Sequence, residues 1–346
     1  MDAIVRVLVV DDSAYVRKMV RQVLSRSPFI DVVGVARDGA EALDMTEELR
    51  PDVVTCDISM PVMDGVAFVR AQMARRPVPI VIISVASGNG EQVLSALDAG
   101  AVDFVQKPTA LADERLLDIA NDLMAKVRAA ATAAMMALPV TATNGAPKRS
   151  PALRSSGRVE IVVLGVSTGG PQALKVVIPA LASDFPVPVA VVLHMPVGYT
   201  ELYAQKLDEM SPLRVVEARE GDEVAAGFVF IAPAGRHLTF RRGADGRVRT
   251  HLDVQPITSL HRPSVDQLFK SAADVFGARV LGVVMTGMGS DGREGAAWIK
   301  AQGGSVITEA EESCVVYGMP RAVMEAGLSD VSVSLSGLAP AILEHL

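Results

Sequence analysis

Three residues from separate stretches of the chain carry complementary chemistry. Ser167 stands in the run GVSTGGP (165–171), after the apolar stretch Val159–Leu164 and before a helical pattern through Ala173, Val176, Val177 and Leu181. His194 ends a second apolar stretch, Val187–Leu193. Asp291 lies in TGMGSDG (286–292), after a third, Arg279–Met285. A serine hydroxyl becomes a nucleophile when an imidazole takes its proton and a carboxylate fixes the imidazole's tautomer. G-x-S-x-G between strand and helix fits a tight turn that exposes the hydroxyl. Such turns also cradle phosphates, and a lone serine there is often a plain N-cap. The strand that follows ends in His194, where a nucleotide loop would want a ribose-binding carboxylate, and the loop lacks a P-loop lysine. The nucleophile reading is therefore preferred.

A second set precedes it. Asp11 and Asp12 follow the first apolar run, Asp57 ends the third, Ser84 ends the fourth, and Lys107 precedes Pro108 after the fifth. Three converging carboxylates repel one another unless a cation or a lysine compensates. Hard oxygen ligands with open water positions suit Mg2+, and a carboxylate beside such an ion can accept a phosphoryl group. A single aspartate would be read as a helix cap; a set at four strand ends is not.

The elements that must position these groups are legible as alternating strands and helices. Ile4–Val10, Val32–Ala36, Val53–Asp57, Ile80–Ser84 and Val102–Val105 read as buried strands. Between them lie helix-length segments with i, i+3, i+4 apolar spacing, such as Tyr15, Val16, Met19, Val20, Val23 and Leu24. The fold class is α/β: two domains, each a doubly wound parallel sheet with helices on both faces. In such sheets functional groups gather beyond the carboxyl ends of the strands. The expected boundaries are 4–122 for the first domain, 123–156 for a linker and 157–346 for the second domain. The segment 125–156 has five basic residues, no acidic ones and three prolines, and the last helix of the first domain could run into its Ala-rich start.

Composition narrows the classes. With 346 residues, 50% hydrophobic, the chain can bury two cores. A net charge of −7 argues against a nonspecific nucleic-acid binder. Cys56 and Cys314 cannot form a disulfide framework or a Cys-rich zinc site and read as buried thiols. The uncharged stretch 129–147 is too weakly apolar and too broken by Pro and Gly to span a bilayer. With no signal pattern at its start, the chain is expected to be soluble and cytoplasmic, without membrane insertion.

All five histidines lie after residue 157. His237 is expected to make a structural hydrogen bond where a turn enters a strand. His261, in HRPSVD, reads as part of a helix start capped by Ser264 or Asp266, and His251 and His345 as exposed.

Residues 4–122 resemble the receiver domain of two-component response regulators, through VLVVDDS (7–13), DISMPVMDG (57–65), IIS (82–84) and DFVQKP (103–108). The resemblance implies that Asp57 is the phospho-acceptor. Asp11, Asp12 and Asp57 with the Ser59 carbonyl would hold Mg2+, Ser84 and Lys107 would contact the phosphoryl group, and Phe104 would be the aromatic switch. Ser59 departs from the longer acidic side chain common there in methylesterase receivers. Residues 158–340 resemble the catalytic domain of chemotaxis receptor methylesterases, through GVSTGGP, LHMPVGYT, IAPAGRHL, HRPSVDQLF, TGMGSDG and ESCVVYGMPRA. Val166 and Leu193 depart from residues that are often Ala and Gln. The two together match the chemotaxis response-regulator protein-glutamate methylesterases. They imply Ser167 as nucleophile, His194 as base and Asp291 as its orienter. No cofactor is expected for ester hydrolysis, chemoreceptors would be substrates, and a chemotaxis histidine kinase the phosphodonor. Deamidation of receptor glutamines is implied as well. The amides of Thr168, Gly169 and Gly170, with Met288 from the facing loop, are the expected oxyanion donors. The alternative is a phosphorylation-dependent receptor-docking protein with a non-catalytic hydrolase fold.

Overall fold

The computed structural model describes residues 4–85, 90–107, 113–136, 148–149 and 159–346. The chain divides into two compact units, 1–141 and 142–346.

The first unit runs β1 (Val5–Val10), α1 (Ala14–Leu24), β2 (Ile30–Ala36), α2 (Gly39–Leu49), β3 (Val53–Asp57), α3 (Gly65–Arg75), β4 (Ile80–Val85), α4 (Gly90–Asp98), β5 (Asp103–Lys107) and α5 (Asp113–Met136). Every residue of β3 is buried, as a strand covered on both faces requires. Helix starts follow the capping residues. Ser13 accepts from the Val16 amide, Asp38 from Ala40 and Glu41, and Asp64 from Ala67. The sheet order is β2-β1-β3-β4-β5, all parallel. The order reverses between β1 and β3, which opens a crevice where Asp11 and Asp57 emerge. Helix α5 runs on to Met136, so residues 123–136, read as the start of a linker, continue that helix.

The second unit runs β6 (Lys148–Arg149), β7 (Ile161–Val166), α6 (Gly170–Val177), β8 (Val189–Leu193), α7 (Thr200–Met210), β9 (Arg214–Glu217), β10 (Phe228–Ile231), β11 (His237–Arg242), β12 (Val248–Asp253), α8 (Val265–Phe276), β13 (Val280–Val284), α9 (Arg293–Ala301), β14 (Ser305–Glu309), α10 (Met319–Glu325), β15 (Val331–Val333) and α11 (Leu338–Glu344). Its sheet order is β6-β15-β14-β13-β7-β8-β10-β9, parallel except for β6, which pairs antiparallel with β15. Of the rest of the expected linker, Lys148–Arg149 form β6, and residues 137–147 and 150–156 lie outside the described residues. Strands β7, β8, β13 and β14 are wholly buried. Strand order reverses between β7 and β13, so Ser167 and the loop bearing Asp291 leave the sheet at its switch point. An antiparallel hairpin, β11–β12, stands apart from the sheet. It packs on α8 through the bond from the Phe240 amide to Ser271 Oγ, 2.7 Å, and an edge-on contact of Phe240 with Phe276.

Candidate active site

The sheet register sets Ser167 beside His194. Val166 of β7 pairs with Leu193 of β8, and the His194 amide donates to the Val166 carbonyl at 3.1 Å. On the other side the Ser167 amide donates to the carbonyl of Thr286 at 3.0 Å, just past β13. The nucleophile candidate thus lies between the imidazole-bearing strand and the loop that carries the carboxylate. His194 Nε2 is 2.9 Å from Asp291 Oδ2. Its Nδ1 is buried and has no hydrogen-bond partner. With Nε2–H given to the carboxylate, Nδ1 is left with a free lone pair. That is the tautomer a general base needs, with the two ring nitrogens in the reverse of their roles in chymotrypsin-type sites.

Asp291 is itself fixed by the start of α8. It accepts from Ser264 Oγ at 3.0 Å, from the Val265 amide at 2.8 Å and from the Asp266 amide at 2.9 Å. Asp266 answers by accepting from Gly292 and Gly295 at the start of α9, at 2.9 and 2.7 Å. Each helix N-terminus, electropositive by its unpaired amides, therefore receives a carboxylate from the other. Burial pushes the Asp291 carboxyl up, but the hydrogen bond and charge of His194 outweigh it and hold the group below the usual range. Asp266 is pushed up to about 7, first by burial and then by the Asp291 charge, against its amide donors. An acid whose folded pKa lies above its unfolded value of about 3.9 binds protons better when folded. Stability then falls as pH rises from about 4 to about 7 and is flat above. Asp266→Asn removes this titration, so the second unit's thermal midpoint should drop less between pH 5 and pH 8 in the variant than in the parent; circular dichroism melts read this directly.

The turn at Ser167 depends on glycine. Gly169 has φ +78°, and a Cβ there would lie 2.6 Å from the Val315 side chain. A Cβ on Gly287 would lie 2.8 Å from Ser167 Cβ, so the TGMG backbone packs directly on the candidate nucleophile. The Gly170 amide donates to the Ser167 carbonyl at 2.7 Å. It closes the turn itself, which removes it from the expected oxyanion donors. Thr168 and Gly169 are buried beside it, and Met288 is half-buried on the facing loop.

In the first unit, the carboxylates of Asp11, Asp12 and Asp57 place oxygens within 4.8 Å of one another. Lys107 Nζ lies 2.6 Å from Asp11 and 3.0 Å from Asp57. Burial disfavours its charge, but these two partners outweigh that and hold Lys107 above the ordinary lysine value. Asp57 is raised by burial, with Lys107 pulling the other way. Ser84 Oγ is fully buried without a hydrogen-bond partner, one residue beyond the Asp57–Ile83 pair. Such an orphaned hydroxyl at a strand end suits an incoming oxygen-rich group. Ser59 is exposed. Phe104 is buried, and its carbonyl accepts from Lys126 Nζ at 2.7 Å.

Several sequence expectations change. His251 is not exposed: Glu220 holds its Nδ1 at 3.0 Å and its side chain is 18% accessible. His345 is half-buried, its Nδ1 2.7 Å from the Ala341 carbonyl one turn earlier. His237 is fully buried; burial lowers its pKa, against a backbone hydrogen bond with Pro256 that favours its charge. Ser264 is the N-cap of α8 as expected, but it also binds Asp291. His261, set aside as part of a helix start, stacks on His194 with ring centroids 4.1 Å apart. Glu309 went unnoticed: it is fully buried and accepts from the Thr286 amide at 2.8 Å, anchoring the loop against Ser167. Its only signal in sequence was an acid ending a strand, SVITE.

Residues 7–121 match the response regulator receiver domain, and residues 162–342 match CheB methylesterase. The protein-glutamate methylesterase/protein-glutamine glutaminase 5 of Myxococcus xanthus is 48% identical over 343 residues, covering 99% of this chain and 98% of the relative. The protein-glutamate methylesterase/protein-glutamine glutaminase of Symbiobacterium thermophilum is 44% identical over 351 residues, covering 98% and 96%. The crystal structure of the Thermotoga maritima CheB methylesterase catalytic domain shares 42% identity and a TM-score of 0.53, covering 55% of this chain and all of that one. Fold and matches define a receiver domain joined to an α/β methylesterase domain. The chain belongs to the family of protein-glutamate methylesterases/protein-glutamine glutaminases.

Proposed function

We propose that this chain is a phosphorylation-regulated serine hydrolase that demethylates glutamyl methyl esters on chemoreceptors and deamidates receptor glutamines. The observation that carries the reading is the His194–Asp291 pair, which leaves Nδ1 unpartnered on the residue next to Ser167 in the sheet register. Ser167 Oγ attacks the ester carbonyl carbon while His194 Nδ1 takes its proton. The bond to the methoxy oxygen then breaks as His194 returns that proton, and methanol leaves. Water, deprotonated by His194, hydrolyses the acyl-enzyme to glutamate. With glutamine the same path releases ammonia. The amides of Thr168, Gly169 and Met288 are the oxyanion donors of this reading. No observation favours the docking-only alternative.

The receiver is the control element. Asp57 takes a phosphoryl group from a chemotaxis histidine kinase, and Ser84 and Lys107 bind its oxygens. The hard-oxygen set of Asp11, Asp12 and Asp57 fits Mg2+, with the Ser59 carbonyl as a further ligand. Bound there, Mg2+ would offset the negative charge brought together on transfer. Domain limits of 4–122 and 157–346 remain the functional assignment, with α5 extending the first beyond 122. The substrates and kinase of such a pathway place the chain in the cytoplasm, and no helix among the described residues is long and apolar enough to cross a membrane.

The test is methanol release from membranes carrying tritiated methylated receptors, with and without a phosphodonor and Mg2+. The parent should release methanol faster with the phosphodonor. Asp57→Asn should keep the basal rate and lose the stimulation. A stimulation that survives in Asp57→Asn would contradict the assignment of the phospho-acceptor.

A further inference from the structure

The segment from His261 to Asp266 grips both members of the His194–Asp291 pair, and no step of the chemistry above uses it. Its downstream half supplies three donors to Asp291, from Ser264 Oγ and the Val265 and Asp266 amides. Its upstream end lays the His261 ring over the His194 ring, 4.1 Å between centroids and 23° between planes. The backbone between them is held in place. The Gly235 amide donates to the Arg262 carbonyl at 2.9 Å, and Arg262 Nη2 donates to the Ile257 carbonyl at 3.2 Å.

An imidazole tied only through Nε2 can still swing and tilt about that hydrogen bond, carrying Nδ1 away from the serine. A misplacement of about 1 Å can cost on the order of 100-fold in rate. A flat ring stacked on one face removes the tilt without competing for either nitrogen. We propose that His261 is a positioning residue for the general base: its stacked ring fixes the plane of His194, so that Nδ1 faces Ser167 while Asp291 holds Nε2. The role needs a planar ring, and it does not need the second imidazole to take or give a proton. This rests on the reading of Ser167, His194 and Asp291 as the ester-cleaving set.

The test compares His261→Phe, His261→Leu and His261→Ala in the full chain, with methanol release from methylated receptor membranes as the rate. Phenylalanine keeps a planar ring, while leucine keeps apolar bulk without one. His261→Leu and His261→Ala should lower kcat by about 10- to 100-fold with KM within about threefold, and His261→Phe should stay within about threefold of the parent in kcat. Proton NMR supplies a second readout, since the Nε2–H proton of His194, kept from exchange with water by its bond to Asp291, should stay sharp in the parent and His261→Phe and broaden in His261→Leu. A proton still sharp in His261→Leu would overturn the proposal. So would His261→Leu with the parent's kcat, or His261→Phe as slow as His261→Leu. Should His261→Ala fail to fold, the Phe and Leu pair decides alone, and should His261→Leu also fail, loss of the proton or of rate in folded His261→Phe overturns the proposal. Failure of the underlying reading looks different: Ser167→Ala would then release methanol at the parent's rate, whatever the His261 variants do.

Discussion

Ser167→Ala should lower methanol release by roughly 10,000-fold or more, while Asp57 still accepts phosphate from a small phosphodonor. The size follows from the chemistry, since without Oγ no acyl-enzyme forms and His194 has no proton to take. Stability should change little. Ser167 is half-buried and its backbone bonds to Thr286 and Gly170 do not involve the side chain. A folded variant within tenfold of the parent would move the nucleophile elsewhere, with Thr168 the next hydroxyl in line.

Asp291→Asn is the second large effect, on the order of 1,000- to 10,000-fold in kcat. The carboxylate faces donors at both oxygens: Val265 N–H and His194 Nε2–H on Oδ2, and Ser264 O–H and Asp266 N–H on Oδ1. An amide offers one acceptor and one donor, so either orientation sets an N–H against donors. If that N–H faces His194, the imidazole must move its proton to Nδ1 to accept it. The nitrogen beside Ser167 then carries a hydrogen and cannot act as base. The variant should also melt earlier, because buried donors lose their acceptor, about 1–3 kcal/mol for each one left unpaired. Activity near the parent's, with the fold intact, would mean that the histidine needs no orienting carboxylate.

The site was legible in sequence where chemistry falls at strand ends. Ser167, His194, Asp57, Ser84 and Lys107 end or directly follow apolar runs, and the parallel register sets them at neighbouring strand ends, whereas Asp291, further along its loop, is fixed by the start of α8. What escaped notice depends on contacts between segments distant in the chain. His261 reaches His194 across 67 positions only because β8 and the loop before α8 leave the same edge of the fold. Glu309 ends a strand like any other, and nothing local says that it will hold the Thr286 amide from beneath. The Gly170 amide is expected as an oxyanion donor because it lies at the helix start; the tightness of the turn, which spends that amide on the Ser167 carbonyl, is a matter of dihedral angles. In the fold, the sequence marks only a turn entering a strand at His237, and nothing local shows that His237–Arg242 pairs antiparallel with Val248–Asp253 outside the parallel sheet. The linker rests on composition, and an Ala-rich, weakly charged stretch suits a helix as well as a tether; the expected run of the last helix into that stretch is what α5 makes through Met136.

The central claim is that Ser167 is an activated nucleophile, and covalent capture tests it most directly. The full chain, treated with a biotinylated fluorophosphonate and digested, should yield a single modified peptide in mass spectrometry, with the adduct on Ser167. Labelling should be suppressed in His194→Ala and slowed by an excess of methylated receptor membranes. An adduct on another residue, or none on folded protein under conditions that label a known serine esterase, would contradict the account.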